Sequence, residues 1–525
     1  MLNIIQPGVT DFDKAGKFFI GLDHGTLSSK ICLMNSEGEV LFIASKEHRV
    51  SSPVEDYLQL DPNEITCNVF ELFEQLKSFV RNSKGVSLEE ITAMGITNQR
   101  ETVVLWDSET GENLIDAILW SDCRTKEICQ RLIKHYGGAN VFKGKTGLNI
   151  ATYFSLFKVI WALENVEEVR KANQRGTLRV STMDSWIMMK LLAGEPHLTE
   201  HSNASRTFLY NICKLDWDEE LLAEFNLSRE MLPKLKDSCD DFGTLVVEGL
   251  KHVRVTAVLG DQQAASFGVG CVVPQDWNVT FGTGTFLLRP TGSSLVFLPD
   301  FLTTVLYHDS LQTIYALEGS LESGGANLNF LQQNMNLYKD VSEISNRTAD
   351  LPLSDMLHHK YSIGTLNGIF APLWNPSMKA MLVGLSQHDD AASIFCTVLE
   401  GIAYRIKDQI ESAPEHTRQH CKFIFNGGLS KSLYLRRFCA QILGVPVEST
   451  VFADSTVLGI TLLSSLERKD GQLNLSKIQN LIPQRTVTHP EHNPSATNAI
   501  QKKYKNYQKL RNFGIDFFEG LECSS

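Results

Sequence analysis

Two segments of the chain share one pattern, in which an apolar run, a turn rich in glycine and threonine, and a second apolar run follow one another. The first segment, 18–43, turns at Asp23-His24-Gly25-Thr26, and the second, 278–288, turns at Gly282-Thr283-Gly284-Thr285. Short apolar runs bounded by such turns predict β-hairpins, and the longer first segment predicts a β-meander. A hairpin repeated in both halves of the chain predicts two similar lobes.

Helical periodicity follows each hairpin. It predicts helices over Asn63 to Val80, Phe154 to Leu163, Gly324 to Leu331, Asp389 to Ala413 and Lys431 to Leu443. Strands alternating with helices predict an α/β fold. Because Pro274 interrupts the pattern, we expect an N-terminal lobe over 18–272 and a C-terminal lobe over 273–468. Residues 1–17 are expected to form an extension, and 469–525 a peripheral C-terminal tail.

Composition restricts the class of protein. The chain has 525 residues, of which 43% are hydrophobic and 21% charged, so it is too long for one core and too apolar for disorder. Its net charge is −12 and its basic residues are dispersed, which argues against a nucleic-acid partner. No apolar stretch approaches the roughly 20 residues that cross a bilayer, so we expect no integral membrane segment.

Cysteine usage and the first residues indicate the compartment. The 11 cysteines form no Cys-x-x-Cys pair, which is typical of reduced thiols in the cytoplasm. Residues 1–17 include Asp11 and Asp13 but no arginine and no long apolar block. This composition fits neither a secretory signal nor a transit peptide, and a cytoplasmic protein is expected.

The turns have features suited to phosphate. Glycine lets the backbone approach a ligand closely, the Thr26 hydroxyl is a donor, and the Asp23 carboxylate can hold Mg²⁺ directly or through water. Gly427-Gly428, between a predicted strand and helix, can admit a nucleotide at the helix N-terminus. Each turn taken alone is equally well explained as an ordinary connection, and only their order along the chain favours a nucleotide site.

Further segments resemble the FGGY carbohydrate kinases, and within that family the members that phosphorylate glycerol. The resemblance runs from about Phe18 to Ser464. Its most specific segments are Gly95 to Thr102, Ala117 to Trp120, Thr146 to Leu148, Tyr153 to Ser155, Asn203 to Thr207, Gly260 to Ala265, Thr280 to Gly284 and Leu317 to Gly319.

The resemblance implies a fold, a reaction and partners. The fold would be of the actin/hexokinase type, with two ribonuclease H-like lobes and a nucleotide cleft between them. The reaction would be the ATP- and Mg²⁺-dependent phosphorylation of glycerol to sn-glycerol 3-phosphate, and the enzyme would be a dimer or tetramer of identical chains. Two alternatives stay open: a kinase of another small polyol or sugar, and a catalytically weak nucleotide-binding module.

The resemblance also assigns the acceptor site. Its residues are Arg100, Glu101, Tyr153, Asp261 and Gln262, with Trp120 and Phe286 as an apolar wall, and Asp261 would be the general base. Glycerol offers hydroxyl groups only, so a donor such as Arg100 beside an acceptor such as Glu101 suits it. Considered singly, Arg100-Glu101 is equally a strand-end pair, and Trp120 and Phe286 are equally core residues.

The same resemblance assigns the nucleotide site, with Asp23 at the metal. The nucleotide residues are Thr26, Leu27, Ser28, Lys30, Gly282, Thr283, Gly284, Gly325, Asn329, Gly427, Gly428 and Ser432. Several residues differ from the usual family pattern: Leu27 stands for Thr or Ser, Lys30 for Arg, Asn329 for Gln, Asn426 for Asp and Ser432 for Asn. We therefore expect weaker nucleotide contacts than in typical members.

Overall fold

The computed structural model describes residues 17–522 apart from 275, 322–323, 354–358, 367, 376, 418–420, 453, 467, 470–471, 474–477, 479–480 and 483. The predicted extension 1–17 lies almost wholly outside the described residues. Two mixed β-sheets, one in each half of the chain, carry the helices and the loops that form the site. The halves are called the N-terminal and C-terminal lobes below.

The N-terminal sheet has the order β5-β6-β4-β1-β2-β3. Its strands are β1 (Phe18–His24), β2 (Ser28–Asn35), β3 (Val40–Glu47), β4 (Ile91–Asn98), β5 (Gly243–Thr244) and β6 (Arg254–Gly260). The first three strands form the predicted antiparallel meander. β4 runs parallel to β1, and β6 parallel to β4, so the carboxyl ends of these three strands meet at one edge.

The C-terminal sheet repeats this plan, in the order β9-β10-β8-β7-β11-β12-β13. Its strands are β7 (Trp277–Phe281), β8 (Thr285–Gly292), β9 (Leu302–His308), β10 (Thr313–Leu321), β11 (Phe423–Gly427), β12 (Val447–Thr450) and β13 (Arg485–Thr488). β7 and β8 form the predicted second hairpin, and β11 runs parallel to β7. Both lobes thus place a hairpin turn beside the carboxyl end of a parallel strand.

Helices and short two-stranded sheets complete both lobes. The helices α1 to α15 are Pro62–Asn82, Lys126–Tyr136, Lys143–Thr146, Ser155–Asn165, Glu167–Arg175, Met183–Leu191, His201–Ala204, Glu219–Glu224, Asp261–Gly268, Gly325–Asn329, Val341–Thr348, Ala391–Ser412, Leu433–Leu443, Ser455–Ser465 and Pro494–Glu522. The short pairs are Gln59–Leu60 with Ala117–Ile118, Val104–Asp107 with Leu178–Ser181, Leu198–Glu200 with Lys234–Lys236, Tyr210–Asn211 with Asp216–Trp217, Tyr361–Ile363 with Met381–Val383, and Arg468–Lys469 with Gln472–Leu473. None of the helices within the described residues has the length and apolar character that a membrane crossing requires.

Helix α1 shows how the sequence specifies these elements. Asp61 caps its first turn by accepting a hydrogen bond from the Asn63 backbone N–H, and Pro62 occupies the first turn, where its missing N–H costs nothing. Buried residues recur along one face at the predicted spacing: Ile65, Val69, Leu72, Phe73, Leu76 and Val80. Their burial fixes α1 on the N-terminal sheet.

Helix α14 follows β12 of the C-terminal sheet in sequence but packs on the N-terminal sheet. A Cβ atom on Gly21 of β1 would lie 1.9 Å from Thr461 Oγ1, and one on Gly95 of β4 would lie 2.5 Å from the Ile460 carbonyl oxygen. Glycine therefore allows the helix to approach these strands closely. The predicted boundary at 272/273 does not divide the chain into two halves that pack independently. Helix α14 lies after this boundary in sequence but packs on the N-terminal sheet.

Much of the segment predicted as a peripheral tail, 469–525, is instead packed in the C-terminal lobe, namely residues 485–488 and 494–522. β13 forms the edge of the C-terminal sheet, and α15 packs on α12 and α13. Tyr504 is buried and donates a hydrogen bond to Asp408, and Lys503 is paired with Glu400 on α12. The lysines of α15 suggested a solvated helix, but the apolar residues between them bury one face.

Candidate active site

A cavity of about 380 Å³ opens where the carboxyl ends of β1, β4 and β6 meet the two hairpin turns. It brings together most of the residues assigned from the sequence. These are Asp23, Thr26, Leu27, Ser28, Lys30, Arg100, Glu101, Trp120, Tyr153, Asp261, Gln262, Gly282, Thr283, Phe286, Gly427 and Gly428. The cavity is therefore one site built from both lobes.

The residues that the resemblance assigns to the acceptor site lie partly at the ends of β4 and β6. Arg100 and Glu101 follow β4, and Asp261 begins α9 directly after β6. Glu101 has φ 60°, a left-handed conformation that is uncommon outside glycine. Such backbone strain is retained where the surrounding structure fixes it, and here it accompanies a buried carboxylate in the cavity wall.

A buried ionic network holds the acceptor residues. Arg100 donates from Nη1 and Nη2 to the two carboxylate oxygens of Glu318, at 2.6 and 3.0 Å. Arg206 donates to Glu318 at 2.9 Å and to Glu101 at 2.5 Å. Burial alone would raise the pKa of Glu318, but the two guanidinium groups outweigh it and lower that pKa to about 2. Glu318 and Arg206 were recognised only as parts of family segments, because their pairing across the lobes is invisible in the sequence.

Asp261 lines the cavity, and the pKa of its carboxyl group is shifted. Burial is the main cause that raises its pKa to about 6, and the nearby Arg100 partly opposes this rise. The Arg100 Nε atom lies 3.3 Å from Asp261 Oδ1, while the Gln262 backbone N–H donates to the same oxygen at 2.8 Å. A carboxylate with a pKa near neutrality is well suited to accept a proton from a hydroxyl group.

Trp120 and Phe286, predicted as an apolar wall, lie together with Tyr153 in the cavity lining. Trp120 packs edge-on against Tyr153 and Phe286, with ring centroids 5.6 and 5.8 Å apart. Its indole N–H donates to Thr26 Oγ1 at 2.9 Å. This bond links the acceptor wall to the first hairpin turn, a role for Thr26 that the sequence analysis did not anticipate.

Asp23 lies at the carboxyl end of β1 and has the properties of a cation ligand. Its Oδ1 atom is buried and has no hydrogen-bond partner among the described residues. Its pKa is raised to about 7, mainly by burial; the charge of Lys30 opposes this rise, and the carboxylates of Asp261 and Asp454 contribute to it. A buried carboxylate with an unsatisfied oxygen fits a hard divalent cation such as Mg²⁺.

Lys30 is engaged by a residue that the sequence analysis missed. Its ammonium forms an ion pair with Asp454, which precedes α14 and lines the same cavity. Burial disfavours the charged lysine, but Asp454 and Asp23 outweigh this effect and raise its pKa. The aspartate just before the helical run at Ser455 was a weak signal, since such residues commonly cap helices.

A second cavity of about 300 Å³ adjoins the first along the turns. It shares Leu27, Phe281, Gly282, Thr283 and Gly428 with the first cavity. Its other lining residues are Gly325, Leu328, Asn329, Val341 and Leu429. A Cβ atom on Gly428 would meet no atom within 4 Å, so the backbone there faces open space that a ligand could use. The apolar side chains of this cavity, together with the amide of Asn329, are suited to bind a flat heterocyclic ligand.

Two residues assigned to the nucleotide lie outside the lining of both cavities. Ser432 is buried and caps α13, where its Oγ accepts a hydrogen bond from the Leu435 N–H at 3.3 Å. Gly284 allows close approach of the backbone, since a Cβ atom there would lie 2.7 Å from the Leu321 carbonyl oxygen. Asn426 does line the first cavity, but its amide donates to Asn278 Oδ1 at 2.6 Å and so joins β11 to β7.

Comparison with known proteins accounts for this arrangement. Residues 18–268 match the N-terminal domain of the FGGY family of carbohydrate kinases, and residues 277–466 match its C-terminal domain. A glycerol kinase of Alcanivorax borkumensis is 35% identical over 86% of this chain and 89% of its own length. One of Aquifex aeolicus is 35% identical over 84% and 87%.

Solved structures agree with the predicted fold class. The crystal structure of Plasmodium falciparum glycerol kinase with ADP has a TM-score of 0.82 and 28% identity, covering 94% of this chain and 98% of that one. A gluconate kinase of Lactobacillus acidophilus, at 22% identity, shares the fold with a TM-score of 0.81 over 96% and 100%. The expectation of a two-lobed α/β fold of the actin/hexokinase type is confirmed. The chain belongs to the FGGY family of carbohydrate kinases.

Proposed function

We propose that this chain transfers the γ-phosphate of ATP to a terminal hydroxyl group of glycerol, giving sn-glycerol 3-phosphate. The observation that carries the proposal is the position of Asp261. Its carboxylate, with a pKa raised to about 6, lies in a cavity that is also lined by Arg100, Glu101 and both hairpin turns. The similarity to glycerol kinases over most of the chain supports glycerol as the acceptor.

The acceptor pocket matches a small triol in chemistry. Arg100 donates, Glu101 accepts, and Gln262 can do both, so the hydroxyl groups find partners of each kind. Trp120 and Phe286 offer apolar surface to the carbon chain. An acceptor that lacks one hydroxyl group would leave a buried polar partner unsatisfied, at a cost of about 1–3 kcal/mol.

Asp261 is proposed as the general base. It removes the proton of the terminal hydroxyl group while that oxygen attacks the γ-phosphorus, and the bond from phosphorus to the bridging oxygen of ADP breaks on the opposite side. Positioning and charge stabilisation account for most of the catalysis in such transfers. The turns that hold Thr283 and Gly428 line the cavity, and their backbone N–H groups are proposed to bind phosphate oxygens.

Mg²⁺ is proposed as the cofactor, with Asp23 as a ligand. When bound, the cation supplies the positive charge that neutralises phosphate oxygens. Asp23 fits this role because its buried Oδ1 has no hydrogen-bond partner among the described residues, and the charges of Asp261 and Asp454 act on its carboxyl. Lys30, held by Asp454, adds fixed positive charge near the same place.

The second cavity is proposed to hold adenosine. Leu328, Val341 and Leu429 would pack on the base, and Asn329 would supply a hydrogen bond. Leu27 lies between the two cavities and is 46% exposed, so it offers apolar contact where most family members have a hydroxyl group. Ser432 and Gly284 are proposed to shape this region from outside.

We also propose that the protein acts in the cytoplasm as a homo-oligomer. Support for a reducing compartment comes from buried thiols without disulfides, for example Cys32 and Cys271. Support for an oligomer comes from the family resemblance alone. Light scattering coupled to size-exclusion chromatography measures the mass, and a monomer at all concentrations would contradict the oligomer.

The direct experiment measures glycerol phosphate made by purified protein with ATP, Mg²⁺ and glycerol. Product should form, and Asp261→Asn should form it much more slowly while binding of glycerol is retained. A panel of other polyols and sugars, assayed in parallel, tests the acceptor. Faster turnover of a pentose than of glycerol would contradict the proposed substrate, and ATP binding without turnover of any acceptor would contradict a kinase.

A further inference from the structure

Two histidines and an aspartate meet at a place that the proposed reaction does not use. His201 begins α7, Asp237 follows the short strand Lys234–Lys236, and His308 ends β9. One ligand atom from each side chain lies within 4.8 Å of the other two. His201 and Asp237 belong to the N-terminal lobe and His308 to the C-terminal lobe, so the cluster spans the junction between them.

Hydrogen bonds fix each of the three side chains and leave one atom of each that could coordinate a shared ion. His201 Nδ1 lies 2.6 Å from the Tyr210 hydroxyl group, and His308 Nδ1 lies 2.8 Å from Thr313 Oγ1. Nε2 of each ring is therefore the nitrogen available for coordination. Asp237 accepts the Ser310 backbone N–H at Oδ2, while its Oδ1 lies 3.8 Å from His308 Nε2. Outer hydrogen bonds of this kind orient the ligands in protein metal sites.

The chemistry of the cluster selects a class of metal. Two imidazole nitrogens with one carboxylate oxygen suit Zn²⁺, whereas Mg²⁺ prefers oxygen ligands only. The side chains of Asp237 and His308 are 27% and 16% exposed, which leaves a path for an ion to enter.

We propose that His201, Asp237 and His308 form a Zn²⁺ site that links the two lobes. Ligand atoms need to move by only about 1 Å to reach coordination distance. The ion would join α7, which leads to Arg206, to β9, which pairs with the strand carrying Glu318. It would thus hold together the two backbone segments that form the buried Arg206–Glu318 ion pair.

The test measures Zn²⁺ binding to the full chain in the absence of glycerol and ATP, so it does not depend on the proposed reaction. Calorimetry and metal analysis should give a single Zn²⁺ per chain that excess Mg²⁺ does not displace. Asp237→Asn, which keeps an acceptor for Ser310, and His308→Ala should abolish this binding. Tyr210→Phe should weaken it by about 10- to 100-fold. His135→Ala, at an exposed histidine on α2, is the control and should bind as the wild type does.

Two further readouts separate this site from adventitious binding. Co²⁺-loaded protein should show visible absorption bands of a nitrogen–oxygen site without a thiolate charge-transfer band, which excludes exposed Cys67 and Cys213 as ligands. Zn²⁺ should raise the Tm of the wild type and leave that of Asp237→Asn unchanged. No binding by the wild type, equal binding by all variants, or a thiolate band would each overturn the proposal.

Discussion

The guanidinium group of Arg100 binds both carboxylate oxygens of Glu318, and this ion pair joins the N-terminal lobe to the C-terminal lobe. The two side chains are 1% and 0% exposed, so water cannot replace either partner. Arg100 also lies 3.3 Å from Asp261 through its Nε atom. A single guanidinium group therefore connects the lobe junction with the proposed general base.

Glu318→Gln should destabilise the protein strongly. The change removes the charge that Arg100 and Arg206 share and leaves two buried guanidinium groups with less compensation. Breaking a buried ion pair from one side costs about 3–5 kcal/mol. Urea unfolding of the variant should show a loss of this size. Glu164→Gln, which breaks an exposed pair with Arg131, should leave the free energy of unfolding unchanged. Equal effects of both changes would contradict a special role for Glu318.

Asp261→Asn should lower kcat by about 10²- to 10⁴-fold, the usual contribution of a general base. The amide keeps the shape of the side chain but cannot take a proton. Glycerol affinity, measured by calorimetry, should change little, because Arg100, Glu101 and Gln262 remain in the cavity. A fall in affinity with kcat preserved would assign Asp261 to binding instead.

The pH dependence of the reaction should show the shifted pKa of Asp261. Burial raises this pKa to about 6, so the base is ionised above pH 6 and protonated below it. The value of kcat/KM should therefore fall with an apparent pKa near 6 as the pH is lowered. Rates measured in buffers of overlapping pH range give this acidic side of the pH profile. An acidic limb near the ordinary value for aspartate would contradict burial as the cause.

Much of the fold could be predicted because local patterns specify it. The turns at Gly25 and Gly282 lie between apolar runs, and both form hairpins in the structure. The predicted helix 63–80 was confirmed because Asp61 and Pro62 mark its start and one face is apolar. These signals are contained within one element and need no knowledge of its partners.

Contacts between distant segments of the chain could not be predicted from the sequence. Asp454 enters the cavity because α14 returns to the N-terminal sheet, and the Trp120–Thr26 hydrogen bond joins separate loops. Burial of α15 depends on apolar residues such as Tyr507 that meet the C-terminal core, although the lysines around them indicated a solvated helix. Pairing of this kind follows from the tertiary structure, which the spacing of residue types does not encode.

Asp23→Asn should raise the Mg²⁺ concentration that half-activates the enzyme. A cation must displace the proton of Asp23, whose pKa is raised to about 7 by burial, so the wild-type protein should bind Mg²⁺ more tightly as the pH rises towards and past 7. The variant should lose this pH dependence. Titrations of activity with Mg²⁺ at several pH values measure both effects. Asp116→Asn, at a half-buried aspartate outside the cavity lining, is the control.

Trp120→Phe should lower kcat/KM for glycerol by about fivefold. Phenylalanine keeps an aromatic ring beside Tyr153 but cannot donate to Thr26, and one such hydrogen bond contributes about 1 kcal/mol. The loss should appear mainly in KM, because the bond positions the acceptor wall. Trp106→Phe removes a comparable bond to Ser181 and should leave kcat/KM unaltered. Equal losses of kcat/KM in the two variants would argue against a role for the hydrogen bond between Trp120 and Thr26.

Gly459→Ala should destabilise the protein by about 3 kcal/mol or more, the upper range for overpacked cores. A Cβ atom at this position of α14 would lie 1.9 Å from the Ala264 carbonyl oxygen and 2.6 Å from the Gly268 backbone nitrogen, and backbone of α9 cannot move aside as a flexible side chain can. Since α14 also leads from Asp454, the variant should lose kcat together with stability. Gly144→Ala is a matched control, because a Cβ atom there meets no atom within 4 Å and alanine favours the helix. Thermal unfolding and activity of both variants measure the difference, and a stable, active Gly459→Ala protein would show that close packing of α14 on α9 is dispensable.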